Sequence, residues 1–475
     1  MRHTKMKNAA LVITLALVGV RGAIAQAPSN AEIQRILADR LKGFEKSVGI
    51  VVGVIEPKGR RIVAYGSMGM NDPRPVNGDT LFEIGSISKV FTSLVLAEMV
   101  QRGEVELDDP VAKYVPPGVK VPERNGQITL YDLSTHRSGL PRMPSNFAPK
   151  DPMNPYADYP IERMYEFLTN YQLQRDIGAE YEYSNLGAGL LGNALARKAG
   201  KDYESLIRER VLVPLRMSST GISLSPQLKS RLSTAHSSVF RLSPTPHWDI
   251  PAFAGAGALR STANDLLTFL AANLGYIQTP LASSMAAMVK VRRDASENLK
   301  IGLGWRIESL KEMEIVWHGG ASYGSRTFAG YDPRSRVGVV VLSNYNSGSG
   351  IDDIGRHILN PSIPFGDGSI VKPQERTAVN LDPRLLDAYP GRYQFPDNEI
   401  FVVRRDGTRF FLKKPTEPEF EIFPEGDFAK GNDDFFSKTA DALYTFDFDK
   451  DVPDRASQLT GNWGFLAPRR GKRIE

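Results

Sequence analysis

Apolar positions along this chain change period several times, and each change marks an element. In NAEIQRILADRLKGFEK, residues 30–46, Ile33, Ile36, Leu37 and Leu41 recur at helical spacing among polar residues, which predicts an amphipathic helix. The next stretch, VGIVVGVIEPKGRRIVAYGSMG, holds two apolar, β-branched runs joined by Pro57, Lys58 and Gly59 and reads as a hairpin. Far along the chain, EIVWH, SRTFAGYDP and VGVVVLSN read as three more strands, with a helix from Gly350 to Leu359 after them. Between these ends, apolar runs stop on glycine: VFTSLVLAEMVQRG at Gly103, NLGAGLLGNALARKAG at Gly200 and STANDLLTFLAANLG at Gly275, the last with Ser261 and Thr262 as cap candidates. PRMPSNFAPKDPMNPYADYP, residues 141–160, is too rich in proline and polar residues for anything but a loop, one placed to overhang a binding site. The simplest assembly is an α/β (α+β) domain over residues 31–360. One antiparallel sheet comes from both ends of the domain, with helices packed on it and a mainly helical insert.

Regular patterning lapses from Pro361 to Pro383, which marks a linker over 361–383. Beyond it GRYQF, EIFVVRRDGTRFFLKK and LYTFDFDKD alternate in short aromatic-rich runs, separated by turn signals at Asp406-Gly407 and Gly431-Asn432. A small all-β domain over residues 384–475 follows from that pattern.

The first residues change the reading of charge. MRHTKMKNAALVITLALVGVRGAIAQ has a basic start, an apolar run from Ala9 to Val20 and small residues Ala23 and Ala25, the make-up of a signal peptide over residues 1–25. The apolar run is too short for a hydrocarbon core that needs ~20 residues. Cleavage takes Arg2, Lys5, Lys7 and Arg21 with no acidic residue, so the formal charge falls from +5 to +1. No long basic run survives, which argues against nucleic acid as a partner. Cysteine is absent, so an exported chain has neither disulfides nor a thiolate metal site nor a cysteine for a lipid anchor. The expectation is a free periplasmic or secreted enzyme, with no transmembrane anchor after cleavage.

Three stretches could carry chemistry. In FEIGSISKVFTS, Ser86 and Lys89 stand three residues apart at a helix start, so the amine reaches the hydroxyl and free N–H groups face a developing anion. A polar helix start reads the same way, and a second SxxK, Ser369 to Lys372, lies in the linker. A lysine base must be neutral, which calls for burial or a neighbouring cation. Tyr183-Ser184-Asn185, just before an apolar helix, offers further polar groups; taken alone, a packed ring and a capping asparagine account for it better. Third, His318-Gly319-Gly320 ends a strand where a ligand can approach the backbone, with the next N–H as an oxyanion donor. The same region reads as a GxSxG elbow around Ser322. The only later histidine is His357, almost adjacent to Asp352 and Asp353, so a conventional triad is hard to build there.

The order SISK, YSN, HGG resembles the serine β-lactamase and penicillin-binding protein superfamily, in its class C-like branch. LDDPVAKYVPPGVKVP, ITLYDLSTHRSGLP, VLVPLRMSSTGI, GLGW and VGVVVLSNYN are similar to segments of that branch, and YVPPGVKVP to HRSGLP looks closest to exported D-alanyl-D-alanine carboxypeptidase/endopeptidases. The resemblance implies a β-lactamase/transpeptidase-like fold with Ser86 as acylated nucleophile, Lys89 as base or proton shuttle and Tyr183 assisting proton transfer. It further implies Asn185 on the substrate amide and the run His318, Gly319, Gly320, Ala321 and Ser322 along the substrate. The oxyanion hole would be the N–H groups of Ser86 and Ala321, with no metal or cofactor.

One departure is His318, where most β-lactamases and DD-carboxypeptidases of the superfamily carry lysine; histidine appears in D-aminopeptidase-like and esterase-like relatives. That weakens, or makes pH dependent, any anchoring of a substrate carboxylate there. His136, in a turn, reads as structural. The C-terminal segment resembles the lipocalin-like β domain appended to many relatives. The expectation is a serine peptidase on D-amino-acid-containing, peptidoglycan-like peptides. A carboxylesterase or class C-like β-lactamase uses the same machinery, and a non-catalytic binder of cell-wall peptide or β-lactam is the alternative of another class.

Overall fold

The computed structural model describes residues 27–475 except 152, 238–242, 311–312, 347–350, 366–376, 396–398, 416–418, 426–427, 429–432, 438–442, 450 and 463–468. The signal-peptide segment, the second SxxK at Ser369 and the Gly431-Asn432 turn lie outside the described residues.

Strands β1 (Gly49–Glu56), β2 (Gly59–Gly69) and β3 (Asp72–Pro75) come from the start of the chain. Six more follow the insert: β4 (Arg293–Ser296), β5 (Leu299–Ile301), β6 (Arg306–Leu310), β7 (Met313–Ala321), β8 (Arg326–Asp332) and β9 (Val337–Ser343). They form a single antiparallel sheet in the order β3-β2-β1-β9-β8-β7-β6-β5-β4, so the two ends of the domain meet at the β1–β9 pair. That pair is buried on both faces, which is why its sequences read as continuous β-branched runs and not as alternation.

On one face Ile50, Val52 and Val54 of β1 and Val339 and Val341 of β9 pack against helices α1 (Asn30–Arg40) and α5 (Asp352–Leu359) through Ile33, Leu37, Ile354 and Ile358. On the other face Val51, Val340 and Leu342 meet α2 (Ser88–Gln101) and α4 (Ala263–Asn273), where Phe91 and Phe269 stack with centroids 4.5 Å apart. Helix α1 opens with a capping box of Ser29 and Glu32 and ends at Arg40, shorter than its apolar spacing predicts. Gly43, at φ +87, turns the chain out of helical conformation three residues later. Arg40 then bonds Asp353 through both guanidinium ends, at 3.2 and 2.5 Å, and so fixes the first turn of α5.

Among the described residues, the insert holds α2, α3 (Asn185–Ala199), α4 and shorter pieces, including Ile161–Asn170 and Ala282–Lys290, neither foreseen from sequence. Thr262 caps α4, while Ser261 belongs to a short bridge with Phe82. Residues 141–160 form no helix or strand where described. Downstream, eight strands from Gly391–Gln394 to Arg469–Arg473 close into a barrel. Its core is aromatic: Phe435 sits 4.9 Å from Tyr389, 5.1 Å from Phe410 and 5.0 Å from Phe446, ring centre to centre. Among the described residues no helix is long and apolar enough to cross a membrane.

Candidate active site

Ser86 stands in a single 3₁₀ turn, Gly85–Ile87, that runs directly into α2. Two glycines set its position. Gly85 has φ +50, and a Cβ built on it would fall 2.6 Å from the Ala321 amide nitrogen. Gly320 on β7 meets the same turn from the other side: a Cβ there would lie 2.0 Å from the Ile84 carbonyl oxygen. Thr327 on β8 donates its hydroxyl to that carbonyl at 2.9 Å. The turn and the strand end therefore touch backbone to backbone, which brings the amides of Ser86 and Ala321 to the border of one cavity.

One helical turn inward, Lys89 is buried within α2. Its Nζ lies 3.0 Å from Ser86 Oγ, donates to Asn185 Oδ1 at 2.9 Å and to the Ala256 carbonyl at 2.8 Å. All three neighbours are neutral. Burial, and then the charge of Arg142, hold the lysine well below its ordinary value of 10.5, so the amine is poised to lose its proton.

Tyr183, Ser184 and Asn185 arrive on the start of α3. Ser184, not Asn185, caps the helix: its hydroxyl accepts from the Gly187 N–H at 2.8 Å and donates to the Pro141 carbonyl at 2.7 Å. Asn185, the first helical residue, is thereby free to turn its amide toward Lys89. Behind them His136, at φ +57, accepts the Ser184 N–H on Nδ1 at 3.2 Å and lays its ring 4.6 Å from that of Tyr183. It packs as a support for the YSN stretch. Burial pushes the Tyr183 phenol up, while its bond to the Ser86 hydroxyl opposes the shift, so it keeps its proton near neutral pH.

His318 is buried beside Tyr183, ring centres 6.2 Å apart. Its Nδ1 lies 2.6 Å from the Gly319 carbonyl oxygen. A carbonyl only accepts, so the proton of the neutral ring sits on Nδ1 and Nε2 keeps a lone pair. Burial, then the charge of Lys89, push the imidazole down to about 3. The ring is therefore neutral near pH 7, because burial and nearby cations disfavour its charged form. Of the two outcomes the sequence left open, this is the weakened and not the pH-dependent anchoring.

Ser86, Tyr183, Asn185 and His318 line one cavity of about 560 Å³ together with Gly319, Gly320 and Ala321, and Lys89 is buried behind Ser86. Ser322 does not join them: it is buried, its hydroxyl turned toward Glu83, and a turn into β8 follows it, with none of the strand-to-helix geometry of an elbow. Sequence reasoning missed much of the wall. Arg142 and Tyr156 come from the proline-rich loop, Trp248 and Phe253 from the insert, Arg306 from the start of β6 and Asp352 from α5. The loop's composition marked it as an overhang, and Arg306 directly follows the GLGW stretch; neither signal singled out a residue.

The fold itself has counterparts among solved structures. The chain superposes on a class C β-lactamase from Rhodobacter sphaeroides with a TM-score of 0.60 at 24% identity, covering 70% of this chain and 99% of that one. It superposes on a β-lactamase/D-alanine carboxypeptidase from Pseudomonas syringae at 0.61 and 18%, covering 71% and 100%. Both show the fold. In sequence, residues 37–359 match the Beta-lactamase family model, and the chain belongs to that family. It is 30% identical over 325 residues to the D-alanyl-D-alanine-carboxypeptidase/endopeptidase AmpH of Escherichia coli K12, covering 64% of this chain and 81% of that protein. It is 26% identical over 400 residues to penicillin-binding protein 4* of Bacillus subtilis, covering 79% and 86%.

Proposed function

We propose that this protein is an exported serine hydrolase that acts through an acyl-enzyme on Ser86, with short D-amino-acid-containing peptides of the peptidoglycan type as substrates. The observation that carries the reading is the buried Lys89 amine, 3.0 Å from Ser86 Oγ and surrounded by neutral oxygens. Lys89 takes the hydroxyl proton as Ser86 Oγ attacks the scissile carbonyl. The amides of Ser86 and Ala321 take the oxyanion, and Asn185 orients the substrate amide. Tyr183, protonated and bonded to Ser86, donates its proton to the departing amine and is reprotonated from Lys89. Water then attacks the acyl carbonyl with Lys89 as base and frees Ser86.

The AmpH relative supports a D-alanyl peptide over a β-lactam as the preferred substrate. Release of D-alanine from an N-acyl-D-alanyl-D-alanine peptide, run beside a p-nitrophenyl ester and nitrocefin, tests this. Peptide turnover well above ester turnover is expected; ester turnover alone overturns the peptidase reading and leaves an esterase. Export through residues 1–25 is tested by the mass of protein recovered outside the cytoplasm, which should begin at Gln26.

A further inference from the structure

One wall of the cavity is held from outside it. The short Phe82-Glu83 strand that leads into the Ser86 turn pairs with Arg260-Ser261, so Glu83 and Arg260 stand directly opposite each other. Both are buried, with Arg260 Nη2 3.7 Å from Glu83 Oε1. Between them they grip one residue of another segment by its backbone. Glu83 Oε1 accepts the Trp248 N–H at 2.7 Å, and Arg260 Nη2 donates to the Trp248 carbonyl at 2.9 Å. Trp248 lines the cavity and carries the next link. Its indole N–H donates to the Met153 carbonyl at 3.1 Å, and its ring lies 5.2 Å from that of Tyr156. Beside it Asp249 and Asn154 exchange two hydrogen bonds, of 2.8 and 3.0 Å. Tyr156 in turn accepts from Asn185 Nδ2 at 3.4 Å. The proline-rich stretch has no helix or strand of its own where described, so its place on the cavity depends on such links.

A buried ion pair must be desolvated, and apolar side chains of the same size would pack here at least as stably. What the charged pair supplies and an apolar pair cannot is a fixed donor and acceptor for the Trp248 peptide. His247 Nδ1 stands 3.5 Å from the same Glu83 oxygen, and the Ser322 hydroxyl turns toward that carboxylate. Glu83 is thus where the wall, the nucleophile's strand and the oxyanion turn meet. We propose that Glu83 and Arg260 are positioning residues. They fix Trp248, and through it Tyr156, against the Ser86 strand, so that the cavity binds a ligand carrying an aromatic group more tightly than one with a methyl in its place. Neither is among the residues that line the cavity. What the bound ligand then undergoes rests on the Ser86 reading; how the wall is held does not.

The test is binding without turnover: N-benzoyl-D-alanyl-D-alanine and N-acetyl-D-alanyl-D-alanine are titrated by calorimetry into Ser86→Ala protein. The benzoyl peptide is expected to bind about tenfold tighter. Adding Glu83→Met with Arg260→Met replaces the ion pair by apolar side chains. The melting temperature should hold or rise, while the preference for the benzoyl peptide disappears and acetyl-peptide affinity stays. Glu83→Gln, which keeps an acceptor for the Trp248 N–H, should retain part of the preference. Trp248→Ala should remove the preference by itself, and in that background neither change should alter affinity for either peptide. The proposal is overturned by equal binding of the two peptides in the parent, by a full preference in either variant, by a melting temperature that falls together with the preference, or by a further loss on top of Trp248→Ala. Failure of the Ser86 reading shows separately, as no fluorophosphonate adduct on wild-type protein.

Discussion

Lys89, buried behind Ser86, and His318, on the cavity wall, have different consequences for pH. Lys89 is useful as a base only when neutral, and its depressed value makes that form accessible far below 10.5. Activity should fall as pH drops through that value. Lys89→Met should slow acylation by about 10²- to 10⁴-fold, read by stopped-flow ester hydrolysis. Its melting temperature should hold or rise, because an apolar side chain replaces a buried amine. His318 bears on stability. Its folded value of about 3 lies below the ordinary 6.5, so between these pH values the unfolded chain binds more protons than the folded one. Stability is intact above about pH 6.5 and declines as pH falls toward about 3. His318→Asn should flatten that decline by up to about 1.4 kcal/mol per pH unit in denaturant titrations. His136 is depressed in the same direction, so part of the slope remains. An unchanged slope contradicts the neutral, buried ring.

At the scale of elements, the contact between the Ser86 turn and the end of β7 decides the site. Gly320→Ala places a methyl 2.0 Å from the Ile84 carbonyl and 2.3 Å from Thr327 Oγ1. Backbone cannot yield as a side-chain tip does, so β7 must move off the turn and take the Ala321 amide with it. We expect a loss of about 3 kcal/mol in stability and a still larger loss of acylation rate, measured on the fraction that remains folded. A variant with wild-type kinetics would remove Ala321 from the oxyanion hole. This element also shows what the sequence made legible. The β1–β9 pair and the SISK, YSN and HGG stretches stood out because two-sided burial and short-range spacing write themselves into adjacent residues. Strands β3 and β4, DPRP and RDAS, carry no such pattern: they are short, polar and half exposed, and they exist because a neighbouring strand offers its ladder. Arg306 was illegible for a related reason: it directly follows GLGW, but its place at the site comes from cross-strand register with Trp317.

For the whole molecule, among the described residues the barrel's aromatic cluster shares none with the two clusters that sandwich the catalytic sheet. Separate cores predict separate unfolding transitions in calorimetry. Phe435→Ala, at the centre of the barrel core, should lower the barrel transition by about 3–5 kcal/mol and leave both the other transition and the labelling rate of Ser86 unchanged. A single transition that shifts as a whole would mean that the barrel and the catalytic domain stabilise one another.

Intact-mass measurement after exposure to a fluorophosphonate tests the central assignment most directly. Folded wild-type protein should gain one adduct, mapped to Ser86 by peptide sequencing, and folded Ser86→Ala protein should gain none. An unlabelled wild type, or a normal adduct in the Ser86→Ala variant, would contradict the account.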